Sequence, residues 1–507
     1  MAEIKDIIEG IDDMPSSNID ENKESDIRIV NINEDSKNGQ SKCPKCGATD
    51  ISFNLKTGLL HCEFCRYEFK EKLIEVLEDD LTKLDGQIFT SGVIDIKDDS
   101  KDIMTFKCSS CGAEVVVDTN ESLQSRCHWC RNLLSINQQI ENGAVPDAIL
   151  PFSIEKEAAR DTIEKFVHKR KFFANTNFKK EFNTENIMGV YFPYLVVDFN
   201  AHAFLEGQGE VQTREYRVKT GDNSYTTYYD ADVYDVKRDF DIIIDDLTFE
   251  SSADKLDKKS NKKTNNVINA IMPFDTKNLV KWDANYLKGF TSEKRDINVD
   301  SVRMMVEHQA KDIARHTAND TLSKYDRGVA WKNETLEVKG QQWSAAYLPV
   351  WLYSYQEKKG NKSLLHYVAV NGRTKEVMGS VPIHMPKLLL ASLFAQIIGV
   401  VFFLLLFLAD FDYAFICLFS GLVYFLIVKG QYRNKNARHT HEKETNAEMS
   451  NLESYDRYIT SRTRLSSNKI VGLNNEHIHG VDSSLLDNLI DSNSIASAIK
   501  GTIDKNL

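Results

Sequence analysis

The sequence predicts an α+β chain with antiparallel sheets, and three observations carry that expectation. Eight of its nine cysteines fall into four Cys-x2-Cys pairs between Cys43 and Cys130. A Pro-Phe start, a helical pattern and a Tyr-x-Pro motif before a hydrophobic strand occur twice between residues 145 and 386. One run of 41 residues, Leu388–Val428, contains only two charges, Asp410 and Asp412. Across 507 residues the net charge is -12, with 42% hydrophobic and 27% charged residues, which excludes collagen, coiled-coil and wholly disordered classes.

The chain opens on an acidic flexible arm, residues 1–42, holding eleven Asp/Glu against five Lys/Arg. Such a segment buries too little apolar surface to offset the entropy of ordering it. It has no apolar core of the kind a secretory signal carries.

The cysteine pairs read CPKCGATDISFNLKTGLLHCEFC and CSSCGAEVVVDTNESLQSRCHWC. Cys43, Cys46, Cys62 and Cys65 form the first set, and Cys108, Cys111, Cys127 and Cys130 the second, displaced by 65 residues at every ligand. Two cysteines separated by two residues form a knuckle whose thiolates point the same way. Fifteen intervening residues, with β-rich stretches at Ile51–Leu55 and Val115–Val117, bring a second knuckle opposite. Four thiolates close a tetrahedron around Zn2+ and leave no open position for a substrate. Residues 43–70 and 105–135 therefore read as zinc ribbons holding two structural ions, joined by a helical or extended connector, 71–104. Units this small depend on the metal for their folding free energy. Phe64 and Trp129 occupy equivalent places in the two second knuckles, either packed on their own ribbon or projecting toward a partner protein.

The α+β region divides into repeat 1 (145–250), a polar linker (251–266) and repeat 2 (267–386). Ile149-Leu150-Pro151-Phe152 begins the first copy and Tyr191-Phe192-Pro193-Tyr194-Leu195 enters its strand; Ile271-Met272-Pro273-Phe274 and Tyr347-Leu348-Pro349-Val350-Trp351 do so in the second. Each proline is expected at the start of a strand, where no ladder hydrogen bond is needed. Helical patterns are expected at Leu279–Lys288 and Val302–Leu322, an antiparallel meander over Val196–Leu247, and a hairpin at Asn371-Gly372. Gly207-Gln208-Gly209 reads as a turn.

The uncharged run is about twice the ~20 residues of one bilayer crossing. The acidic break Asp410-Phe411-Asp412 divides it, so residues 387–429 read as a transmembrane helical hairpin with arms Leu388–Leu408 and Tyr413–Val428. Lys387 on one flank and Lys429, Arg433, Lys435 and Arg438 on the other place both ends in the cytosol. The expected location is the cell membrane, multi-pass, with both termini cytoplasmic. Residues 430–507 read as a basic juxtamembrane segment and polar tail, in which Val481–Ile499 forms either a weak amphipathic helix or no structure.

The sequence holds no GxxxxGK[ST] phosphate loop, no HExxH and no GxSxG, so the expectation is a non-enzymatic protein with no catalytic residues. Lys42, Lys45, Lys56, Arg66 and Lys70 give the first ribbon a slight positive excess and the second has none, a poor footprint for nucleic acid.

The ribbons, VPDAILPFSIEKEAA, GVYFPYLVVD, NAIMPFDTKNLVKWDANYLKGF and YLPVWLYSY with YVAVNGRTKEVMGSVP together resemble the bacterial membrane-anchored proteins with transcription-factor-IIB-type zinc ribbons. Two departures stand out. Arg66 and Arg131 replace the glycine often found after the second knuckle, and Asn371–Lys375 lacks the second glycine of the usual turn. Members of that family are often labelled primosomal helicases, a label that the missing phosphate loop argues against here. The resemblance implies an adaptor, with the lipid bilayer and a cytosolic or membrane-associated protein as partners, near envelope-stress or membrane-scaffold systems. The alternative is a membrane-tethered nucleic-acid-binding regulator.

Overall fold

The computed structural model describes residues 27–30, 42–48, 50–70, 80–94, 103–107, 113–118, 125–131, 133–134, 139–140, 146–219, 225–252, 268–293, 295, 297–359, 362–408, 414–432 and 441–465. The arm up to residue 26, half of the ribbon connector, Cys108, Cys111, most of the polar linker, Asp410, Asp412 and Val481–Ile499 lie outside them.

The fold is mixed α+β around a sheet of 14 strands among the described residues. Its main elements are helices α1 (Lys156–His168) and α2 (Thr176–Glu181), strands β1 (Met188–Lys219) and β2 (Tyr225–Glu250), helix α3 (Val299–Ala318), strands β3 (Val329–Lys359) and β4 (Lys362–Asn371), apolar helices α4 (Met385–Leu408) and α5 (Ser420–Tyr432), and strand β5 (Asn446–Leu465). β1 pairs antiparallel with both β2 and β3, β3 with β4, and β2 with β5.

The prolines do not start their strands; both strands run through them. Pro193 lies opposite Tyr347 and Pro349 opposite Tyr191, a register reciprocal about Phe192 and Leu348. On its outer side β1 pairs with parallel strand Thr291–Glu293 up to Tyr191, then with β2 from Tyr194. Likewise β3 pairs with parallel strand Ala148–Ile149 up to Tyr347, then with β4 from Val350. The Pro193 carbonyl accepts from Ser251 N and the Pro349 carbonyl from Gly372 N, so each residue's polar groups face this outer side. Each proline nitrogen thus falls in the gap between two outer partners, where a missing donor breaks no ladder.

Alternation along β1 and β3 separates the cores. One face carries Tyr191, Tyr347 and Trp351 against α1 and, farther along, Val197, Phe199 and Trp343 against α3. The other carries Phe192, Tyr194, Val196 and Leu348 beneath Ile268–Leu279.

Four local expectations differ from the structure. The helical pattern at Leu279–Lys288 is broken into strand Val280–Lys281 and the 3-10 turn Ala284–Leu287, because the Asp283 side chain accepts from Asn285 N and caps a new start. Gly207 and Gly209 lie inside β1, not in a turn. A Cβ at Gly207 would come within 2.3 Å of the Ala330 carbonyl oxygen, and one at Gly209 within 2.6 Å of the Tyr325 ring, so close packing explains both glycines. The Val196–Leu247 meander is a single long hairpin of β1 and β2. The polar tail returns as β5 and covers the edge of β2 over Asp245–Tyr229.

Among the described residues one helix, α4, is long and apolar enough to cross a membrane. Most of its side chains face away from the protein, as at Leu390 (69% exposed), while Leu388, Ser392 and Gly399 are buried. The expected second arm is a 3-10 segment, Ala414–Phe419, leading into the shorter α5. It runs back along α4: Ser420 Oγ donates to Ala395 O (3.0 Å), Gln396 Nε2 to Leu418 O (2.6 Å) and Gly421 N to Gln396 Oε1 (3.0 Å). Gly399 and Gly421 permit this approach, since a Cβ on either would lie within 2.5 Å of the facing helix.

Candidate metal centre

The first ribbon is a separate three-stranded sheet, Ile51–Asn54, Leu59–Cys62 and Glu68–Phe69, that presents two knuckles to each other. The ligand-capable sulfur atoms of Cys43, Cys46, Cys62 and Cys65 all lie within 4.8 Å of one another. Cys43 Sγ is 3.5 Å from Cys65 Sγ, and Cys46 Sγ is 3.6 Å from Cys62 Sγ. A tetrahedral ion with Zn–S bonds of about 2.3 Å separates its sulfurs by about 3.8 Å. The quartet is therefore compatible with a zinc site.

The three described knuckles close the same way. Gly47 N donates to Cys43 O, Arg66 N to Cys62 O and Arg131 N to Cys127 O, all at 2.8 Å. The closing residue takes the left-handed conformation in all three, with φ of 75° at Gly47 and 62° at both arginines. The two arginines thus make the turn that glycine makes more cheaply.

The thiol chemistry favours a cation. At Cys43 burial opposes ionisation, but the Cys46 and Lys45 N–H groups and the neighbouring thiols outweigh it and bring the thiol down to about 6. At Cys46 the Ala48 N–H favours the thiolate, yet burial and hydrogen bonding with Cys65, Cys43 and Cys62 prevail and push the thiol up to about 12. One negative charge is welcome in the cluster and further ones are resisted. A divalent ion removes that resistance.

Of the second set, Cys127 and Cys130 are placed on a knuckle with the geometry just described, between strands Ser125–Arg126 and Leu133–Leu134. This ribbon is built into the body. Its strand Glu114–Asp118 pairs with Thr291–Glu293 and so joins the central sheet. Trp129, 4% exposed, donates from Nε1 to Glu293 Oε1 and packs edge-on against Phe192 (5.7 Å) and Tyr367 (5.3 Å). His128 Nε2 lies 3.3 Å from the same carboxylate oxygen, and the Arg131 guanidinium sits 4.5 Å from the centre of the Tyr353 ring. Phe64, the counterpart of Trp129, is 80% exposed. The first ribbon instead joins the core on the Tyr191 face through Ile51, Leu60 and the Phe53–Tyr286 contact at 5.0 Å.

A group that the sequence reading missed is Asp198, Asp245 and Asp246, whose carboxylates approach within 4.8 Å. An irregularity in the β1–β2 register places two aspartates opposite one, and Asp246 N donates to Asp198 Oδ1 (2.8 Å). Burial and then the Asp245 charge push Asp246 up to about 6; burial and then Asp246 raise Asp198 well above the usual carboxylate range. No spacing signal marks this trio, because the irregularity that assembles it is visible only in the paired strands.

No protein-family model, no curated protein and no solved structure matches the chain.

Proposed function

We propose that the chain is a non-enzymatic membrane adaptor of the zinc-ribbon family that it resembles, with one structural zinc in each cysteine quartet. Zinc, when bound, coordinates the four thiolates, offsets two of their four negative charges and locks the two knuckles together. The second ribbon serves as a fixed part of the body. The first offers its surface, centred on Phe64, to a cytosolic or membrane-associated protein. The observation that carries this reading is the contrast between buried Trp129 and exposed Phe64 at equivalent positions. An apolar aromatic in solvent beside a rigid metal knuckle is a suitable interface anchor.

In this proposal α4 and α5 form a membrane hairpin with both ends on the cytosolic side. Val381 N donates to Tyr432 O at 2.9 Å, so the chain leaves and rejoins the body at one place. The 13-residue α5 reaches about 20 Å at 1.5 Å per residue. Its 3-10 extension adds about 12 Å at 2.0 Å per residue, which brings the second arm to bilayer thickness.

Crosslinking and affinity capture from native membranes test the adaptor reading. Wild-type protein is expected to recover a discrete protein partner, and Phe64→Ser is expected to lose it while keeping its metal. Recovery of nucleic acid instead, in a salt-sensitive manner, would overturn the adaptor reading in favour of a tethered regulator.

A further inference from the structure

The turn between α1 and α2 is wedged against the foot of the apolar helices. His384 N donates to Phe173 O (2.8 Å), Phe173 N to Tyr432 Oη (2.9 Å — its acceptor a side chain at the end of α5) and Arg170 Nε to Gln431 O (2.7 Å). Lys387, the residue before the uncharged run, donates from Nζ to Phe172 O (2.9 Å) and lies 3.8 Å from the centre of the Phe172 ring. Phe173 is buried against Tyr432, whereas Phe172 is 64% exposed.

Beside this turn is a cavity of about 600 Å³ with a basic rim and an apolar floor. Lys165, Lys169, Lys171 and Lys179 line it with His168, over Phe178. Lys165, Lys169 and Lys171 form no ion pair among the described residues. Burial, then the charges of Lys387 and Lys171, hold Lys179 below the usual lysine range. One acid, Glu164, also lines the cavity, but its carboxylate is engaged by Thr184 Oγ1 (2.6 Å) and lies 3.9 Å from Arg160 Nε. The four lysines outnumber it, and cations gathered this densely repel one another until an anion joins them.

We propose that this cradle binds the phosphate headgroup of an acidic phospholipid, in the leaflet that α4 enters beside Lys387. The proposal rests on the membrane reading above. Position and charge select the occupant together: basic residues at the foot of a membrane helix face the anionic leaflet surface. The exposed Phe172 ring next to them supplies an apolar contact at the depth of the lipid interface. Lys165, Lys169, Lys171 and Lys179 surround the phosphate, and the acyl chains lie along the outer face of α4.

The experiment uses the full chain in nanodiscs of mixed phosphatidylcholine and phosphatidylglycerol, with bound lipids counted by native mass spectrometry after release. Wild-type protein is expected to retain phosphatidylglycerol in preference to phosphatidylcholine. Replacing Lys165, Lys169, Lys171 and Lys179 by Gln is expected to lower that preference about ten-fold or more. A variant with Lys56→Gln and Lys332→Gln, neither of which lines the cradle, is expected to keep it. Equal retention of both lipids by wild-type protein, or an unchanged preference in the four-lysine variant, would overturn the proposal. Inorganic phosphate added to the wild-type protein is expected not to displace the lipid, and displacement would assign the site to free phosphate. The membrane reading is scored separately: protein released from membranes by alkaline carbonate contradicts the anchor itself, whereas protein that stays embedded without lipid preference contradicts only the cradle.

Discussion

Tyr191 and Tyr347 stack at the centre of the molecule, with ring centroids 6.5 Å apart and planes inclined by 20°. Each holds the same place in its own strand, two residues before a proline, and each faces the other strand's proline across the β1–β3 pair. The flanking pattern of a parallel partner followed by an antiparallel one repeats around them at equal offsets.

That arrangement predicts unequal costs for neighbouring substitutions. Tyr191→Ala is expected to cost about 3 kcal/mol, because it empties a buried site also filled by Phe152 and Phe290. Pro193→Ala is expected to cost under about 1 kcal/mol, since the nitrogen faces a gap between partners. Thermal unfolding of the two variants checks the ranking, and equal losses would contradict the register argument.

The ribbons predict a second contrast. Trp129→Ala removes a buried indole with its bond to Glu293 and is expected to destabilise the body by about 3–5 kcal/mol. Phe64→Ala is expected to leave the unfolding temperature within about 1 °C of wild type. A comparable loss in both would mean that the exposed position also supports the fold.

The left-handed arginines differ in what else they do. Arg66→Gly is expected to stabilise the first ribbon by about 1 kcal/mol, seen as slower zinc release to a chelator. Arg131→Gly gives up the contact with the Tyr353 ring and is expected to show no such gain.

The aspartate trio sets a pH dependence. Asp246 keeps its proton to about 6 in the folded chain, against an ordinary value of 3.8. As pH rises between these values the unfolded chain loses a proton that the folded chain retains, so stability falls through that window and stays lowered above it. Asp198, raised further, extends the decline to higher pH. Asp246→Asn tolerates the residue's φ of 59° and is expected to recover roughly 2–3 kcal/mol at neutral pH, with a flatter profile of unfolding temperature against pH. An identical slope in wild type and variant would rule the trio out as its cause.

What was legible in the sequence was what chemistry states locally. Cys-x2-Cys spacing encodes a knuckle whatever surrounds it, and the uncharged run that forms most of α4 stands out on composition alone. The two Tyr-x-Pro motifs marked the right strands, but not that the strands continue through the prolines, because the tolerance comes from a change of outer partner. β5 was read as a polar tail since its described side chains are mostly exposed and, among them, Ala447 and Met449 are those packed against the core that includes Trp343. Its order comes from the β2 edge that it covers, a relationship across 200 residues with no local signature. The different settings of the ribbons were equally hidden: Glu293, which receives Trp129, lies 164 residues away.

The most direct test of the account is the zinc-to-protein ratio of the full chain purified from membranes. Two zinc ions per chain are predicted, falling to one in Cys62→Ser and to one in Cys127→Ser, with the chain still in the membrane fraction. One ion or none in the wild type, with all eight paired cysteines open to a thiol reagent, would contradict it.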